Sequence, residues 1–314
     1  MSLRVGITLG DPNGIGPEVV LKALGMPGLP ADVEWIWFAD PALVAAQAAA
    51  LGLAVPPVAL QWPLAPVEWS FGAGTAASGQ AALDSLNLAL DAWRAGAIDA
   101  LVTPPLSKEH VPLAGFTGHT SYLAAAAGGD ALMLLRGAEL TVALATEHLP
   151  LAGVRAALSP DLVLAKLRAL DAALRRDYAA PAPRLALLAL NPHAGDGGRI
   201  GPDEQTWLAD VVLRALREGL DVRGPLAADG FFVSKGYRSV DGTLALYHDQ
   251  GLIPFKMLAF HDGVNATAGL DLVRTSPDHG TAWDLAGRGL ADAGSMHAAL
   301  RTAVEVVKNR RATR

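Results

Sequence analysis

The sequence predicts an α/β fold, and three observations predict it. Short apolar runs rich in Val, Ile, Leu and Ala recur along the chain, each is followed by a longer stretch with helical spacing, and several end in loops crowded with Gly, Pro, Asn and His. Strands apolar on both faces belong to sheets covered by helices on both sides. The alternation therefore points to βαβ crossovers with substantial parallel pairing, and leaves room for some antiparallel strands.

In chain order, RVGITLG leads into PEVVLKAL and VEWIWFAD into PALVAAQAAALG; AIDALVTP, ELTVALAT, RLALLALNP and TLALYHD supply further strands. Between Gly52 and Gly74 prolines are frequent and periodicity is weak, which predicts a surface excursion or an irregular strand. Alanine-rich stretches such as AAQAAALG are helix formers, and no fixed-period repeat is visible.

Composition bounds the function. With 314 residues, 51% hydrophobic and 18% charged, the chain can bury a large core and is expected to form two lobes. The net charge is −6 and no Lys or Arg run precedes the KNRRATR tail, which argues against nucleic acid as a partner. That tail reads as a solvated helix end. There is no cysteine, so disulfides, thiolate metal sites and a cysteine nucleophile are excluded, and any metal must use His, Asp or Glu. The opening MSLRVGITLG lacks the parts of a signal peptide, and no apolar stretch of about 18 residues occurs. No membrane partner and a cytoplasmic location are the expectations.

Open α/β sheets bind ligands beyond the carboxyl ends of their strands. The first such loop, LGDPNGIGPEVV, permits a tight turn through its glycines and starts a helix at Pro17. It is either a loop facing a ligand or a plain strand-to-helix turn, since it matches neither the Walker nor the G-x-G-x-x-G pattern. His148, His193 and His248 each lie just past a predicted strand. They are too far apart in sequence for a zinc finger, but three strands of one sheet can gather three imidazoles on one divalent ion. Singly, each would read as a hydrogen-bonded structural histidine. Asp249 could act as a ligand or orient His248, while Asp196 reads as a residue of an exposed turn.

Further polar candidates are Lys108 in TPPLSKEH, His119 and Thr120 in TGHTS, Lys256 in IPFKML, Asn265 in GVNATAG and Arg274 in LVRTS. Lys256 and Arg274 interrupt apolar surroundings and suit an anionic substrate, and a lysine can also move a proton; the alternative is a snorkelling side chain. TGHTS reads equally as a helix N-cap through Thr117 or Thr120.

Taken together, GDPNGIGPE, TGHT, HLPL, NPHAG, GPLAAD, YHDQG, GVNATAGL and RTSPDHGTAWDLAG, in this order from Gly10 to Gly287, resemble the 4-hydroxythreonine-4-phosphate dehydrogenase family. The resemblance covers nearly the whole chain. It implies a two-lobed α/β/α subunit of the isocitrate and isopropylmalate dehydrogenase type, with the active site in the interlobe cleft of a homodimer and residues of both subunits completing it. The lobes would be residues 1–115 with 260–314 on the cofactor side, and 116–259 for metal and dimerisation.

It also implies that His148, His193 and His248 hold a divalent metal, with Zn²⁺ favoured by imidazole ligands and Co²⁺ or Mg²⁺ as alternatives. His119, Thr120, Lys256, Asn265 and Arg274 would bind substrate, and Asp229 in GPLAAD would be an acidic catalytic group. The implied reaction oxidises 4-phosphooxy-L-threonine with NAD and decarboxylates the product to 3-amino-2-oxopropyl phosphate, a step of vitamin B6 biosynthesis, with Lys256 as the leading proton-transfer group.

SPDHGTAWDLAGRG is similar to the adenosine-binding segment of the isocitrate and isopropylmalate dehydrogenases. His279, Gly280, Thr281 and Asp284 would then contact the cofactor, and Asp284 would favour NAD over NADP by meeting the ribose 2′-hydroxyl. Otherwise Asp284 is simply the first turn of a TAWDLAG helix. Pro105, Ser121 and Gly230 depart from the family pattern. They keep open a sister dehydrogenase acting on threonate or erythronate phosphate. From other classes, a zinc hydrolase would need no nicotinamide, and a metabolite-binding paralogue would bind without turnover.

Overall fold

The computed structural model describes residues 2–313. The chain divides into two compact units, one comprising the residues to Ala131 with Leu270–Lys308, the other Leu132–Gly269 with the residues from Asn309. The divisions fall later than the 115/116 and 259/260 expected. The helix at His119–Ala127 packs through Leu123 on Leu86, Leu101 and Leu272 of the first unit, and the strand at Val264–Ala268 pairs with Leu132–Arg136 of the second.

The first unit contains β1 (Leu3–Thr8), α1 (Gly16–Gly25), β2 (Val33–Phe38), α2 (Pro41–Leu51), β3 (Ala59–Leu60), α3 (Ala76–Arg94), β4 (Ala100–Val102) and α4 (His119–Ala127). Local chemistry starts and stops these helices. Asp40 accepts from Ala42 N ahead of Pro41 and left-handed Gly52 ends α2; Thr75 and Ser78 form a reciprocal capping box on α3. Two-residue β3 at the sheet edge is all that is regular in the proline-rich excursion.

The second unit follows with β5 (Leu132–Arg136), β6 (Thr141–Leu144), α5 (Leu151–Ala157), α6 (Pro160–Asp177), β7 (Arg184–Leu188), α7 (Ala209–Arg217), β8 (Asp221–Leu226), α8 (Ala228–Val233), β9 (Gly242–Ala245), α9 (His248–Leu258) and β10 (Val264–Ala268). The chain then returns to the first unit with β11 (Val273–Pro277) and α10 (Gly294–Ala312), whose last residues belong to the second.

Strand order in the first unit is β3-β2-β1-β4-β11, every pairing parallel. In the second it is β10-β5-β6-β9-β7-β8, antiparallel from β10 to β6 and parallel from β6 onward. Burial on both faces explains the unbroken apolar runs. Leu132 and Leu134, Leu185 and Leu187, and Leu244 point into a core lined by α6 and α7. Met133 and Leu135, Ala186 and Leu188, and Ala245 point the other way, onto Phe231 of α8 and Leu252 and Phe255 of α9. The period of two is that of a pleated strand with both faces covered.

Four local points left open by the sequence are described by the structure. The GDPNGIGPE loop is buried from Asp11 to Val20, which is the packing of a strand-to-helix turn. Helix α4 starts at Gly118, with φ 137°, and neither Thr117 nor Thr120 caps it; Thr117 instead meets Ser121 Oγ at 2.6 Å. TAWDLAG forms consecutive turns and no helix. In the basic tail, Arg310 is drawn in by Asp177, Nε to Oδ1 2.7 Å, with side chains 10% and 4% exposed, while Lys308 and Arg311 to Thr313 are exposed at the end of α10.

Candidate functional site

In the first unit an anion-attracting cluster forms around β4 and β11. These strands pair in register, Arg274 beside Leu101, and Thr103 N donates to Thr275 O at the end of β4. Arg274 is thereby carried into the interior, 4% exposed, where Nε and Nη2 both donate to Thr103 Oγ1 at 3.0 and 2.8 Å. Burial pulls its guanidinium down to about 9, so it remains charged at neutral pH. His119, the first residue of α4, is held well below 6.5 by burial and then by the charges of Arg274 and Lys108. The Lys108 stem lies against Gly118, where a Cβ would come within 2.9 Å of Lys108 Cε. Two cationic side chains beside a buried imidazole form a site whose electrostatics an anion would relieve.

Thr120 stands next in α4 and is half-buried. Sequence reasoning missed Thr103. Its only signal was a polar residue at the end of a buried strand.

The second unit carries the histidines. β6, β9 and β7 are parallel neighbours, and His148, His248 and His193 follow their carboxyl ends. The rings of His148 and His248 lie 5.5 Å apart, centre to centre. Two imidazoles sharing one tetrahedral ion, at about 2.0–2.1 Å from metal to nitrogen, put their ring centres roughly 5 Å apart. This pair therefore fits a divalent ion. His248 Nδ1 is 2.7 Å from Asp249 Oδ1, which leaves Nε2 for a ligand and makes Asp249 an orienting group.

His193 sits in a different local geometry. His193, Ala194, Gly195, Asp196 and Gly197 run consecutively at positive φ, a left-handed turn seated on Glu204, whose Oε1 accepts from Leu190 N and Asn191 N and whose Oε2 accepts from Asn191 Nδ2. His193 Nδ1 is 3.9 Å from Asp229 Oδ2, both side chains 68% exposed. Among the described residues no three His, Asp or Glu side chains are gathered closely enough to hold a metal together. The donor set nevertheless consists of neutral nitrogen and carboxylate groups suited to zinc or cobalt. Asp196 is exposed, 4.0 Å from Arg199, as an exposed turn predicts.

Two further candidates in this unit stand apart from the histidine pair. Asn265 is the second residue of β10, opposite Leu135. Lys256 is exposed on α9, eight residues beyond His248 and hence roughly 12 Å further along the helix axis.

The segment expected to take the nucleotide belongs to the first unit. His279 Nδ1 lies 3.1 Å from Gly280 O, a Cβ on Gly280 would meet nothing within 4 Å, and Asp284 is exposed. Gly280 therefore borders open space, with the Asp284 carboxylate four residues on. Thr281 turns inward, its carbonyl accepting from Ile15 N at 3.0 Å.

Comparisons with known proteins identify the family. Residues 32–303 match the family described as pyridoxal phosphate biosynthetic protein PdxA. A 4-hydroxythreonine-4-phosphate dehydrogenase from Burkholderia vietnamiensis is 44% identical, the match covering 99% of each chain. The crystal structure of a 4-hydroxythreonine-4-phosphate dehydrogenase from Klebsiella pneumoniae superposes with a TM-score of 0.82 at 32% identity, covering 98% of each chain. Isocitrate dehydrogenase from Methylococcus capsulatus, 17% identical with a TM-score of 0.51, covers 99% of this chain and 87% of its own, and shares the fold.

Proposed function

The chain belongs to the pyridoxal phosphate biosynthetic protein PdxA family, and from that premise we propose that it is a metal-dependent, NAD-linked dehydrogenase of 4-phosphooxy-L-threonine. It would oxidise the C3 hydroxyl and release the carboxylate as CO₂, leaving 3-amino-2-oxopropyl phosphate. The observation that carries this reading is the His148–His248 pair at the ends of adjacent parallel strands, with Asp249 fixing one ring.

His148 and His248, joined by His193 after a shift of its exposed ring, would hold a divalent ion, with Zn²⁺ favoured over Co²⁺ and Mg²⁺. Bound, the ion supplies polarisation of the C3 oxygen and NAD supplies the hydride acceptor. Arg274, His119 and Thr120 would bind the anionic groups of the substrate, with Asn265 as a further polar contact. Lys256 would take the proton from the C3 hydroxyl and, after the C1–C2 bond pair passes to C2, protonate C2. Asp229 would keep His193 in the tautomer that presents Nε2. His279, Gly280, Thr281 and Asp284 would bind the adenosine half of the cofactor, with Asp284 selecting NAD over NADP.

A homodimer accounts for the position of Lys256. Ile253 and Met257 are 58% and 81% exposed and, with Lys256, fall at helical spacing along one stripe of α9, and Phe260, 75% exposed, follows just past its end. An apolar stripe of this kind calls for a covering surface, and a second copy would bring its Lys256 to the histidines of the first. Among the described residues no helix is long and apolar enough to cross a membrane.

The test follows NADH absorbance with 4-phosphooxy-L-threonine before and after chelation, with zinc, cobalt or magnesium restored. NADH formation that returns with metal is the expected result. No turnover with any metal would reject this substrate. Ser121, bonded to Gly118 O beside His119, favours a second reading in which threonate or erythronate phosphate is oxidised instead, and those compounds form the next arm.

A further inference from the structure

The GDPNGIGPE motif has no part in the chemistry above, yet it is buried and its polar groups are directed at other segments of its own unit. The strand order reverses between β1 and β4, the switch point where such sheets ordinarily leave a crevice for ligand. Here the motif fills it. A Cβ on Gly10 would lie 2.6 Å from Pro105 O, and Asp11 N donates to that carbonyl at 2.8 Å. Asn13 binds Ser70 N and Ala73 O through its side chain and Gly72 N through its carbonyl.

The remaining contacts converge on one stretch, Thr281 to Ala291. At its start, Ile15 N donates to Thr281 O, and Gly14 packs so closely that a Cβ would lie 2.8 Å from the same oxygen. In its middle, Gly287 rests on Phe71, next to the Ser70 and Gly72 amides that Asn13 holds. At its end, Glu18, 1% exposed, accepts from Ala291 N at 2.9 Å and from Lys22 Nζ at 2.6 Å, while Lys22 Nζ also donates to Gly289 O and Ala291 O at 2.9 and 2.8 Å. The stretch is turns from Trp283 to Gly289, with no strand or helix ladder to hold it. Beyond its own turn bonds, its two ends are tied to Ile15, Glu18 and Lys22.

We infer that GDPNGIGPE, acting through Glu18 and Lys22, is the positioning device that holds Thr281–Ala291 in the conformation that receives the adenosine half of NAD. This rests on the reading of that segment as the nucleotide site. A turn-only segment must otherwise be ordered by the ligand itself, and that entropy is subtracted from affinity. Glu18 and Lys22 bond each other and the backbone of Gly289 and Ala291, outside the residues assigned to substrate, so their effect should appear in nucleotide binding alone.

The experiment uses the full chain and the variants Lys22→Met, Lys22→Arg and Glu18→Gln, the last being near-isosteric in case Lys22→Met fails to fold beside a buried carboxylate. Amide hydrogen exchange is followed over 279–291 with and without NAD, together with KM for NAD, KM for the phosphorylated substrate, and kcat. The expected result is faster exchange in Lys22→Met and Glu18→Gln, KM for NAD raised about tenfold, the other constants unchanged, and recovery in Lys22→Arg. Unchanged KM for NAD in folded variants, or equal changes in both KM values, would overturn the inference. If NAD leaves exchange over 279–291 unaltered in the parent chain, the nucleotide reading itself fails, an outcome separable from failure of the buttress.

Discussion

Arg274 brings a full charge into a sheet interior, and Thr103 is the group that makes its position specific by accepting from two of its nitrogens. Thr103→Val keeps the shape and removes the acceptor; it should destabilise the chain by about 1–3 kcal/mol and weaken phosphate-substrate binding. Chemical denaturation and substrate titration would check both effects, and a loss below about 0.5 kcal/mol would count against the role. His119 and His297 are both held below 6.5, in each case by burial first. With the folded value depressed, stability is full above the unfolded value near 6.5 and is lost as pH falls below it, by up to about 1.4 kcal/mol per pH unit for each proton. Thermal unfolding from pH 7 to 5 should show that loss, and His297→Gln should reduce its slope. A bound phosphate offsets the cations that depress His119 and raises its pKa. Substrate binding near pH 6 should therefore take up a proton, measurable by calorimetry in buffers of different ionisation enthalpy.

At the scale of elements, the turn after β7 and the start of α3 are the constrained places. His193, Ala194 and Asp196 all occupy the left-handed region, which costs non-glycine residues about 1–3 kcal/mol each and persists only where the surroundings impose it. Glu204 anchors the entry to this turn through Leu190 N and Asn191 N. Glu204→Ala should lower metal affinity about 10- to 100-fold by releasing the loop that carries His193, and competition with a chelating dye would measure it. In α3, Gly79 passes the His110 carbonyl so closely that any Cβ would overlap it. Gly79→Ala should cost about 3 kcal/mol as an overpacking change. A melting temperature equal to that of the parent chain would refute the packing argument. Neither feature was legible in the sequence, because a glycine needed for close approach looks the same as one needed for a turn.

For the whole molecule, the stripe on α9 predicts association. Met257→Glu with Phe260→Glu should convert a dimer to a monomer in sedimentation velocity. Mixing inactive Lys256→Ala and His248→Ala chains should restore about a quarter of parent turnover through mixed dimers, each with one intact site. No recovery would place Lys256 and the histidines in the same subunit's chemistry.

The sequence by itself determined the α/β class, the parallel strands with apolar faces on both sides, and the placing of three histidines after strand ends, because burial period and loop composition are local properties. It also carried Arg274 and Lys256 as cations in apolar surroundings and His119 as a polar loop residue. Only the tertiary structure decided that β6, β9 and β7 are neighbours, so that His148 and His248 meet; that Thr103 holds Arg274; and that the glycine-rich loop after β1 is buried. Strand order and close packing are set by contacts between residues far apart in the chain, and no local pattern of apolar spacing encodes which strand lies beside which.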